Sequence, residues 1–241
     1  MATETKPSLS IILPTYNERR NISILVPSLV RAFASIPLEI IIVDDSSPDG
    51  TGEEVLRLAQ ETPNLRLITR KEKTGIGSAL RHGYSQAQHD IILSCDSDLS
   101  FSPNDLMKLY DKIALENYDV VVGSRHSAYS TYETPRPAVA LKYAISRAGN
   151  KLLHSLFRIP VKDFSANCRA MRRDVWQSLD TRENTNFFLF EMLFLAQAHG
   201  ARIGEVPITF ADRQFGESKI NHAVEVPKAL GKMLIYLLRR R

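Results

Sequence analysis

Two aspartates that follow an apolar run are the clearest chemical signal in this sequence. Asp96 and Asp98 come directly after IILSC at residues 91–95. If that run is a strand, both side chains leave its end on the same side, because side chains alternate with period two. Two such carboxylates repel each other unless a cation lies between them, and Mg²⁺ or Mn²⁺ commonly combines one or two carboxylates with substrate phosphates. The segment indicates a metal site that holds a nucleotide diphosphate, with a solvated turn or helix cap as the alternative.

The elements that must position these aspartates alternate between short apolar strands and helices. The pattern predicts strands at 9–13, 39–43, 65–69, 90–95 and 119–123, and helices at 21–33, 51–60, 77–87 and 103–116. Nearly all-apolar strands that alternate with helices are typical of a parallel sheet covered on both faces. Ligands of such sheets bind beyond the carboxyl ends of the strands, where 14–18, 44–50 and 96–98 all lie.

The second half of the chain is patterned differently. Residues 124–137 are polar and contain prolines, so they predict a mobile loop, and helices are expected at 138–157, near 186–200 and from about 224. A short strand is expected at 205–210. No repeat or domain boundary is apparent, so residues 1–241 are predicted to form a single domain.

Composition excludes several classes of protein. The chain has 241 residues, is 44% hydrophobic and 24% charged, and carries a net charge of +4. Positive charge concentrates at 142–173 and 239–241, which suits phosphates, anionic lipid or nucleic acid. A basic stripe with interleaved aromatics is missing, so no nucleic-acid partner is expected. No GxGxxG follows the first strand, which argues against a dinucleotide-dependent dehydrogenase.

Cysteine use and hydropathy point to a reducing compartment without a membrane span. The two cysteines, Cys95 and Cys168, indicate neither a disulfide scaffold nor a zinc site. The first eight residues are polar and do not resemble a signal peptide. No run approaches the roughly 18 apolar residues that a spanning helix needs. The chain is therefore expected not to cross a bilayer by itself.

Five motifs occur in order and together resemble one enzyme family. They are PTYNE at 14–18, VDDSSPDGT at 43–51, DSDLS at 96–100, GSR at 123–125 and VPITFADRQFGESK at 206–219. This series closely resembles the dolichol-phosphate mannosyltransferases, which are inverting GT-A enzymes of glycosyltransferase family 2. The resemblance covers roughly residues 9–219, and it is to the short form of the family, without transmembrane segments.

The resemblance implies a fold, a reaction and partners. The fold would be α/β, a GT-A Rossmann-like fold with a mostly parallel central sheet, helices on both faces and C-terminal acceptor-side helices. The reaction would transfer mannose from GDP-mannose to dolichyl or polyprenyl monophosphate with inversion, releasing GDP. The enzyme would be cytoplasmic and peripherally bound to the cytoplasmic face of a membrane, where a small membrane subunit could recruit it.

The resemblance also implies the residues of the site. The nucleotide sugar would contact Pro14, Tyr16, Glu18, Val43, Asp45, Asp96, Ser97, Asp98, Arg213 and Lys219. A Mg²⁺ or Mn²⁺ ion would be held by Asp96, Asp98 and Ser100, and the acceptor phosphate by Arg125 and Arg147. Those expected to act in catalysis are Asp98, Arg125, Arg213 and Lys219.

Side-chain chemistry agrees with these roles, and each has a plainer alternative. A tyrosine ring can stack on a base, a carboxylate accepts hydrogen bonds from base or ribose, and arginine suits bidentate phosphate contact. Alternatively, Pro14 merely ends a strand, Asp45 caps a turn, and the cations are solvated. Asp49 and Gly50 are interpreted as turn residues before a helix that Thr51 caps, and Gly75 and Gly77 as a tight loop.

Two positions depart from the family pattern. Ser100 stands at a metal-ligand position that is often glutamine, and FSANCR at 164–169 replaces a TSGFR-like stretch. Glu191 lies where relatives that glycosylate hydroxyls carry a base. A phosphate acceptor needs no base, because its second pKa is about 6. Glu191 is therefore expected to orient the sugar or a neighbouring cation.

The same sequence features fit other functions. The same reaction with UDP-glucose or another nucleotide sugar fits the motifs equally, and a non-catalytic nucleotide-sugar-binding subunit would keep the fold. Two segments mix cations with bulky apolar residues, an acceptor loop and helix at about 124–158 and a C-terminal amphipathic helix at about 224–241. Their helices could lie at a membrane interface, with apolar residues toward lipid and cations toward phosphate. The alternative is that they pack within the protein.

Overall fold

The computed structural model describes residues 6–127, 129–133, 137–211, 215 and 222–239. The first part of the chain alternates strands and helices as predicted. In chain order these are β1 Leu9–Thr15, α1 Arg19–Ala32, β2 Leu38–Asp44, α2 Thr51–Ala59, β3 Leu65–Thr69, α3 Ile76–Ser85, β4 Ile91–Cys95, α4 Pro103–Glu116 and β5 Val120–Ser124.

The second part contains elements that the sequence pattern did not predict. It consists of β6 Thr131–Glu133, α5 Pro137–Phe157, β7 Cys168–Arg172, α6 Arg173–Ser178, α7 Phe188–Ala198, β8 Ile203–Pro207, β9 Thr209–Ala211 and α8 His222–Arg239. The prediction of a loop throughout 124–137 was wrong, since β6 lies within it. The single strand predicted at 205–210 is two strands, and these belong to different sheets.

A seven-stranded sheet in the order β3-β2-β1-β4-β7-β5-β8 forms the centre of the described fold. All neighbouring strands are parallel except β7, which is antiparallel to both β4 and β5. A separate parallel pair, β6 with β9, lies outside this sheet. Within the sheet, β2 and β3 lie on one side of β1, whereas β4 lies on its other side. The crevice between the carboxyl ends of β1 and β4 is therefore the topological switch point, where α/β sheets bind ligands.

Each face of the sheet is covered by its own apolar layer. Ile11 and Leu13 point into a layer that α1 and α4 complete with residues such as Leu25 and Leu109. Ile12, between them in β1, points into the opposite layer. That layer also contains Leu80, Phe190, Met233 and Tyr236 of α3, α7 and α8. The alternation along β1 and burial on both faces confirm the predicted helix-covered sheet.

Two glycines at the start of α3 are explained by close packing. Gly75 has φ +107°, and a Cβ there would meet the carbonyl oxygen of Asn184. A Cβ on Gly77 would lie 2.6 Å from Cβ of Phe188 and 2.7 Å from the carbonyl oxygens of Glu183 and Thr185. These glycines let α3 approach the 183–185 segment.

Replacing Gly77 with Ala is expected to destabilise the protein by about 1–3 kcal/mol, because a close-packed contact cannot absorb the added methyl. Gly149→Ala in α5 is the matched control, since a Cβ there would meet no atom of the described residues within 4 Å beyond its chain neighbours and its own helix backbone. Alanine favours helix over glycine by about 1 kcal/mol, so the control should be neutral or stabilising. Denaturant unfolding of both variants measures the difference. Equal stabilities would contradict the packing explanation.

Candidate active site

The three motif loops meet at the switch point and are tied together by hydrogen bonds. The backbone N–H of Asp45 donates to the carbonyl of Thr15 at 3.2 Å, which joins the loops after β2 and β1. The hydroxyl of Ser97 donates to the carbonyl of Pro14 at 3.0 Å, which joins the loops after β4 and β1. The predicted convergence of these segments is therefore observed.

Each of the three loops contains a non-glycine residue with positive φ. The values are 60° for Asn17, 51° for Ser46 and 64° for Leu99. Such conformations cost of order 1–3 kcal/mol and persist where the surrounding structure holds them in place. Leu99 stands out because a bulky apolar side chain disfavours this region, and it lies between Asp98 and Ser100. Strain concentrated in these loops marks the edge as a candidate functional site.

The predicted metal ligands lie together at this edge. Asp98 is buried, and its Oδ1 accepts the backbone N–H of Ser100 at 3.1 Å. Ser100 Oγ is also buried and has no hydrogen-bond partner among the described residues. An oxygen without a partner beside two carboxylates fits a hard cation, which binds oxygen ligands.

A cation at this edge would need further ligands from a bound substrate. Within the described ranges, no cluster of three or more His, Cys, Asp or Glu residues could hold a metal by itself. Mg²⁺ and similar ions are commonly bound by one or two carboxylates together with substrate phosphates. The donor set at Asp96, Asp98 and Ser100 fits that mode of binding.

A buried chain of hydrogen bonds orients Asp96. Its Oδ1 accepts from Nδ2 of Asn167 at 3.2 Å, and Oδ1 of Asn167 accepts from the hydroxyl of Ser94 at 2.7 Å. The Ser94 hydroxyl lies 2.7 Å from the phenol oxygen of Tyr84. Sequence reasoning missed Asn167, although it flagged 164–169 as unusual. Its contact with Asp96 comes from β7 lying beside β4.

The residues predicted to bind the nucleotide surround the ends of β1 and β2. The Lys73 ammonium lies over the Tyr16 ring, 3.8 Å from its centre. Oε2 of Glu18 accepts from Nδ2 of Asn21 at 2.5 Å. The side chain of Val43 is fully buried in the core, so only its backbone can face a ligand.

Asp45 has a basic partner that sequence reasoning missed. Its Oδ1 lies 2.6 Å from Nε of Arg70, and both side chains are more than nine-tenths buried. Nη1 of Arg70 donates to the Ser78 hydroxyl at 2.7 Å, so α3 helps to hold the pair. Asp45 therefore presents its carboxylate at the end of β2 in a fixed orientation. A role in nucleotide binding stays a prediction.

The turn residues of the second motif behave partly as predicted. Gly50 has φ +85°, and Oδ1 of Asp49 accepts the Thr51 N–H at 3.0 Å, as expected for a turn before α2. The prediction that Thr51 caps this helix was wrong, because the cap residue is Gly50. The Thr51 hydroxyl oxygen instead accepts the backbone N–H of Glu18 at 3.0 Å.

Arg125 is held by a fully buried carboxylate. Its Nε lies 2.7 Å from Oδ2 of Asp163, and its Nη2 lies 3.0 Å from Oδ1. Burial alone would raise the pKa of Asp163, but the charge and hydrogen bonds of Arg125 outweigh it and hold that pKa far below its usual range. The Asp163 carboxylate is therefore ionised at neutral pH and orients the guanidinium.

Arg147 lies on the exposed side of α5, yet its charge acts near Arg125. Burial lowers the pKa of His126, which follows Arg125, and the charges of Arg125 and Arg147 lower it further against the opposite effect of Asp163. Arg125 and Arg147, both predicted to bind the acceptor phosphate, therefore act on the same region beyond β5.

Arg213 and Lys219 lie outside the described residues, but the flanking residues are next to the site. The N–H of Ala211 donates to the carbonyl of Ser100 at 3.1 Å. The Arg20 guanidinium carbon lies 5.0 Å from the centre of the Phe215 ring, at the start of α1. The described residues around Arg213, namely Ala211 and Phe215, therefore lie beside the metal-ligand loop and beside the start of α1.

Glu191 is fully occupied by contacts within the protein. Its carboxylate accepts the backbone N–H groups of Arg182 at 3.0 Å and Glu183 at 2.8 Å, and the Tyr236 hydroxyl at 2.7 Å. These contacts fasten α7 to the 182–183 segment and to α8. The expectation that Glu191 orients a sugar or a cation gains no support from this geometry.

Residues 10–179 match the model of glycosyl transferase family 2. The polyprenol monophosphomannose synthase of Mycolicibacterium smegmatis is 31% identical over 243 residues, which cover 96% of this chain and 87% of that protein. The undecaprenyl-phosphate mannosyltransferase of Micrococcus luteus is 32% identical over 223 residues, which cover 88% of this chain and 87% of that protein.

A solved structure with a similar fold is the glucosyl-3-phosphoglycerate synthase of Mycobacterium tuberculosis in complex with Mn²⁺, UDP and phosphoglyceric acid. The TM-score is 0.67 at 18% identity, with 96% of this chain and 77% of that chain covered. At this level of identity the likeness establishes the fold. The expected α/β fold of the GT-A type is thereby confirmed.

Proposed function

The chain belongs to glycosyl transferase family 2, and from this premise we propose that it transfers mannose from GDP-mannose to a polyprenyl monophosphate. Two relatives above 30% identity are named for mannosyl transfer to polyprenyl phosphates, and both are matched over 87% of their length. Their names leave the donor nucleotide open. GDP is proposed here from the resemblance of the motifs, with UDP-glucose as the alternative donor.

The observation that carries the choice of acceptor is the full occupation of Glu191. A sugar hydroxyl must lose a proton when it attacks, and the family resemblance implies that many relatives with such acceptors carry a carboxylate base at roughly this position. Here its oxygens accept two backbone N–H groups and the Tyr236 hydroxyl, so it is unsuited to proton removal. A phosphate acceptor attacks with an oxygen that is already anionic near pH 7, because its second pKa is about 6.

The reaction proposed is a single displacement at the anomeric carbon. A phosphate oxygen of the acceptor forms the new bond to C1 while the bond from C1 to the donor diphosphate breaks. The departing nucleoside diphosphate takes the electron pair. Attack opposite the leaving group inverts the α-donor to a β-linked product. The role of the protein is to bring two anions together and to stabilise charge on the leaving group.

Asp96, Asp98 and Ser100 are proposed to hold a divalent cation. The unpartnered Ser100 oxygen beside two carboxylates supports this set, as do the strained loops around it. Mg²⁺ or Mn²⁺ bound there would neutralise charge on the departing diphosphate. Asn167 would keep the carboxylate of Asp96 in place, and Asp98 is already oriented by the N–H of Ser100.

The cations divide between donor and acceptor in this proposal. Arg213 and Lys219 would contact the donor diphosphate, because Ala211 contacts Ser100 of the third motif and Phe215 lies against Arg20 at the start of α1. Arg125 and Arg147 would contact the acceptor phosphate. Tyr16, Glu18, Asp45, Ser97 and the backbones of Pro14 and Val43 would line the nucleotide site.

A transfer assay with purified protein tests the function directly. GDP-mannose and UDP-glucose are each offered with a polyprenyl phosphate and with the matching polyprenol, which lacks the phosphate. We expect lipid-linked mannose only with GDP-mannose and the phosphorylated lipid. Transfer to the free alcohol would contradict the proposed acceptor, and transfer of glucose alone would contradict the donor. Nucleotide-sugar binding without any transfer would favour a non-catalytic subunit.

The protein is proposed to work at a membrane surface, on the cytoplasmic face of that membrane. None of the helices in the described part of the chain is long and apolar enough to cross a bilayer. In α8, Met233 and Tyr236 are buried, whereas three large apolar residues are exposed, namely Leu234, Ile235 and Leu238. In α5, Ile145 and Leu152 are exposed and are accompanied by Arg147 and Lys151, and Arg158 directly follows the helix. Such faces suit shallow insertion next to anionic headgroups.

We expect the protein to sediment with anionic liposomes and to be released as salt rises, because exposed charges are screened within about 8 Å at physiological ionic strength. Replacing Leu234, Ile235 and Leu238 with Ser should weaken sedimentation at every salt concentration. Leu115→Ser is the control, since Leu115 is more exposed than each of the three but lies in α4. Binding unchanged by the triple replacement would exclude α8 from the surface. No binding to any vesicle would favour recruitment by a membrane subunit.

A further inference from the structure

A fully buried carboxylate, Asp163, joins three parts of the chain beside the proposed acceptor site. It lies between α5 and β7 and pairs with Arg125, which directly follows β5. Its Oδ1 also accepts the backbone N–H groups of Ser165 and Ala166, both at 3.1 Å. From α5, Asn150 directs Nδ2 to the same oxygen at 3.4 Å. One oxygen atom thus accepts hydrogen bonds from Arg125 after β5, from the 163–166 turn and from α5.

The side-chain amide of Asn150 links α5 to this turn through both its nitrogen and its oxygen. Besides the contact with Asp163, Oδ1 of Asn150 accepts the backbone N–H of Phe164 at 2.9 Å. Asn150 is 3% exposed, unlike its neighbours on α5, most of which face solvent. The Ser146 hydroxyl, one turn earlier, lies 3.2 Å from the hydroxyl of Ser165. Ser165 in turn accepts from Nη2 of Arg125 at 2.8 Å.

A contribution to folding stability alone poorly explains these contacts of Asp163 and Asn150. A buried ion pair contributes little beyond what apolar residues of similar volume would contribute, because both charges lose their hydration. Such pairs do define a single geometry, since bidentate contact restricts the guanidinium in position and angle. Here the defined geometry involves Arg125 and the helix that carries Arg147, three residues before Asn150.

We propose that Asp163 and Asn150 are positioning residues that set α5, and with it Arg147, relative to Arg125 for the acceptor phosphate. The proposal rests on the proposed function, because it assigns the two arginines to one phosphate. Asp163 holds the guanidinium of Arg125 by two hydrogen bonds and holds α5 through Asn150. Loss of either residue lets the two cations move apart, whereas the nucleotide loops at β1, β2 and β4 keep their own contacts.

The test measures KM for the polyprenyl phosphate and for the nucleotide sugar separately, in Asp163→Asn, Asn150→Ala and the double variant. A hydrogen bond to a charged group strengthens binding by about tenfold or more, so we expect the acceptor KM to rise at least about tenfold when the two arginines lose their alignment with the phosphate. The donor KM should change less than about twofold. The two changes should be strongly non-additive, because both residues act through the same contacts. Asp180→Asn, an exposed carboxylate paired with Arg182, is the matched control.

The outcomes separate this inference from the function on which it rests. If the parent protein transfers to no polyprenyl phosphate, the proposed function fails. If the parent is active and the variants change both KM values equally or neither, only the positioning role is overturned. Melting temperatures identify loss of fold. Should Asp163→Asn fail to fold, Ser165→Ala removes the hydroxyl between Arg125 and Ser146, and it should raise the acceptor KM alone.

Discussion

Asp98→Asn is expected to lower turnover at least about a hundredfold while leaving the fold intact. A metal that stabilises a leaving diphosphate is worth several kcal/mol in the transition state, and each 1.4 kcal/mol is tenfold in rate. Asparagine keeps the shape of the side chain and can still accept the Ser100 N–H, which Asp98 accepts at 3.1 Å. The loss would therefore reflect the missing charge. Steady-state kinetics over a range of Mn²⁺ concentrations, with calorimetric Mn²⁺ binding in the presence of GDP, provide the measurement.

The control for Asp98 must lose a carboxylate without touching the site. Asp180→Asn serves, because its side chain is 77% exposed and its ion pair with Arg182 lies on the surface. Surface pairs contribute about 0–1 kcal/mol, so neither stability nor turnover should change much. Full activity of Asp98→Asn, or full activity of the parent in chelated buffer, would refute the metal assignment. Weaker Mn²⁺ binding at an unchanged melting temperature would support it.

Arg213→Ala is expected to lower kcat/KM by about 10- to 150-fold with little change in melting temperature. Hydrogen bonds to charged groups contribute about 1.5–3 kcal/mol, and losing one to the donor diphosphate would have this effect. The expectation is motivated by the neighbours of the segment, since Ala211 contacts Ser100 and Phe215 contacts Arg20. Steady-state kinetics and thermal unfolding of variant and parent give the comparison.

The matched control for Arg213 is Arg57→Ala. Arg57 pairs with Glu54 one turn away on α2, and more than half of its side chain is exposed. The Arg57→Ala variant removes the same charge from the protein at a position without a proposed role. If both variants keep parental kinetics, Arg213 is a surface cation. If both lose activity equally, the effect arises from net charge and not from a phosphate contact.

Much of the site could be predicted because parallel sheets obey a simple rule. Short apolar strands that alternate with helices predict which segments lie at the carboxyl edge. The loops at 14–18, 44–50 and 96–98 do meet there. The motifs gave the family, which the family model and two relatives confirm. Local patterns suffice here, because each loop is placed by the strand directly before it.

The partners of the motif residues could not be predicted in the same way. Arg70 lies 25 residues from Asp45, and Asp163 lies 38 residues from Arg125. Asn167 lies 71 residues from Asp96. Such contacts depend on which strands become neighbours, and hydropathy periodicity carries no information about that. The strand β7 was missed because its five residues include a buried arginine, Arg169, which hydrogen bonds to backbone carbonyls.

The sequence by itself determined the class of fold, the edge at which ligands are expected to bind, and the paired carboxylates there. It did so because strand alternation and strand-end chemistry are local properties of the chain. Only the tertiary structure decided that both carboxylate oxygens of Glu191 accept hydrogen bonds from within the protein, that Arg125 is held by Asp163, and that α5 contacts the same Asp163 carboxylate. These properties depend on burial, since a carboxylate surrounded by protein must find its donors wherever the packed chain brings them.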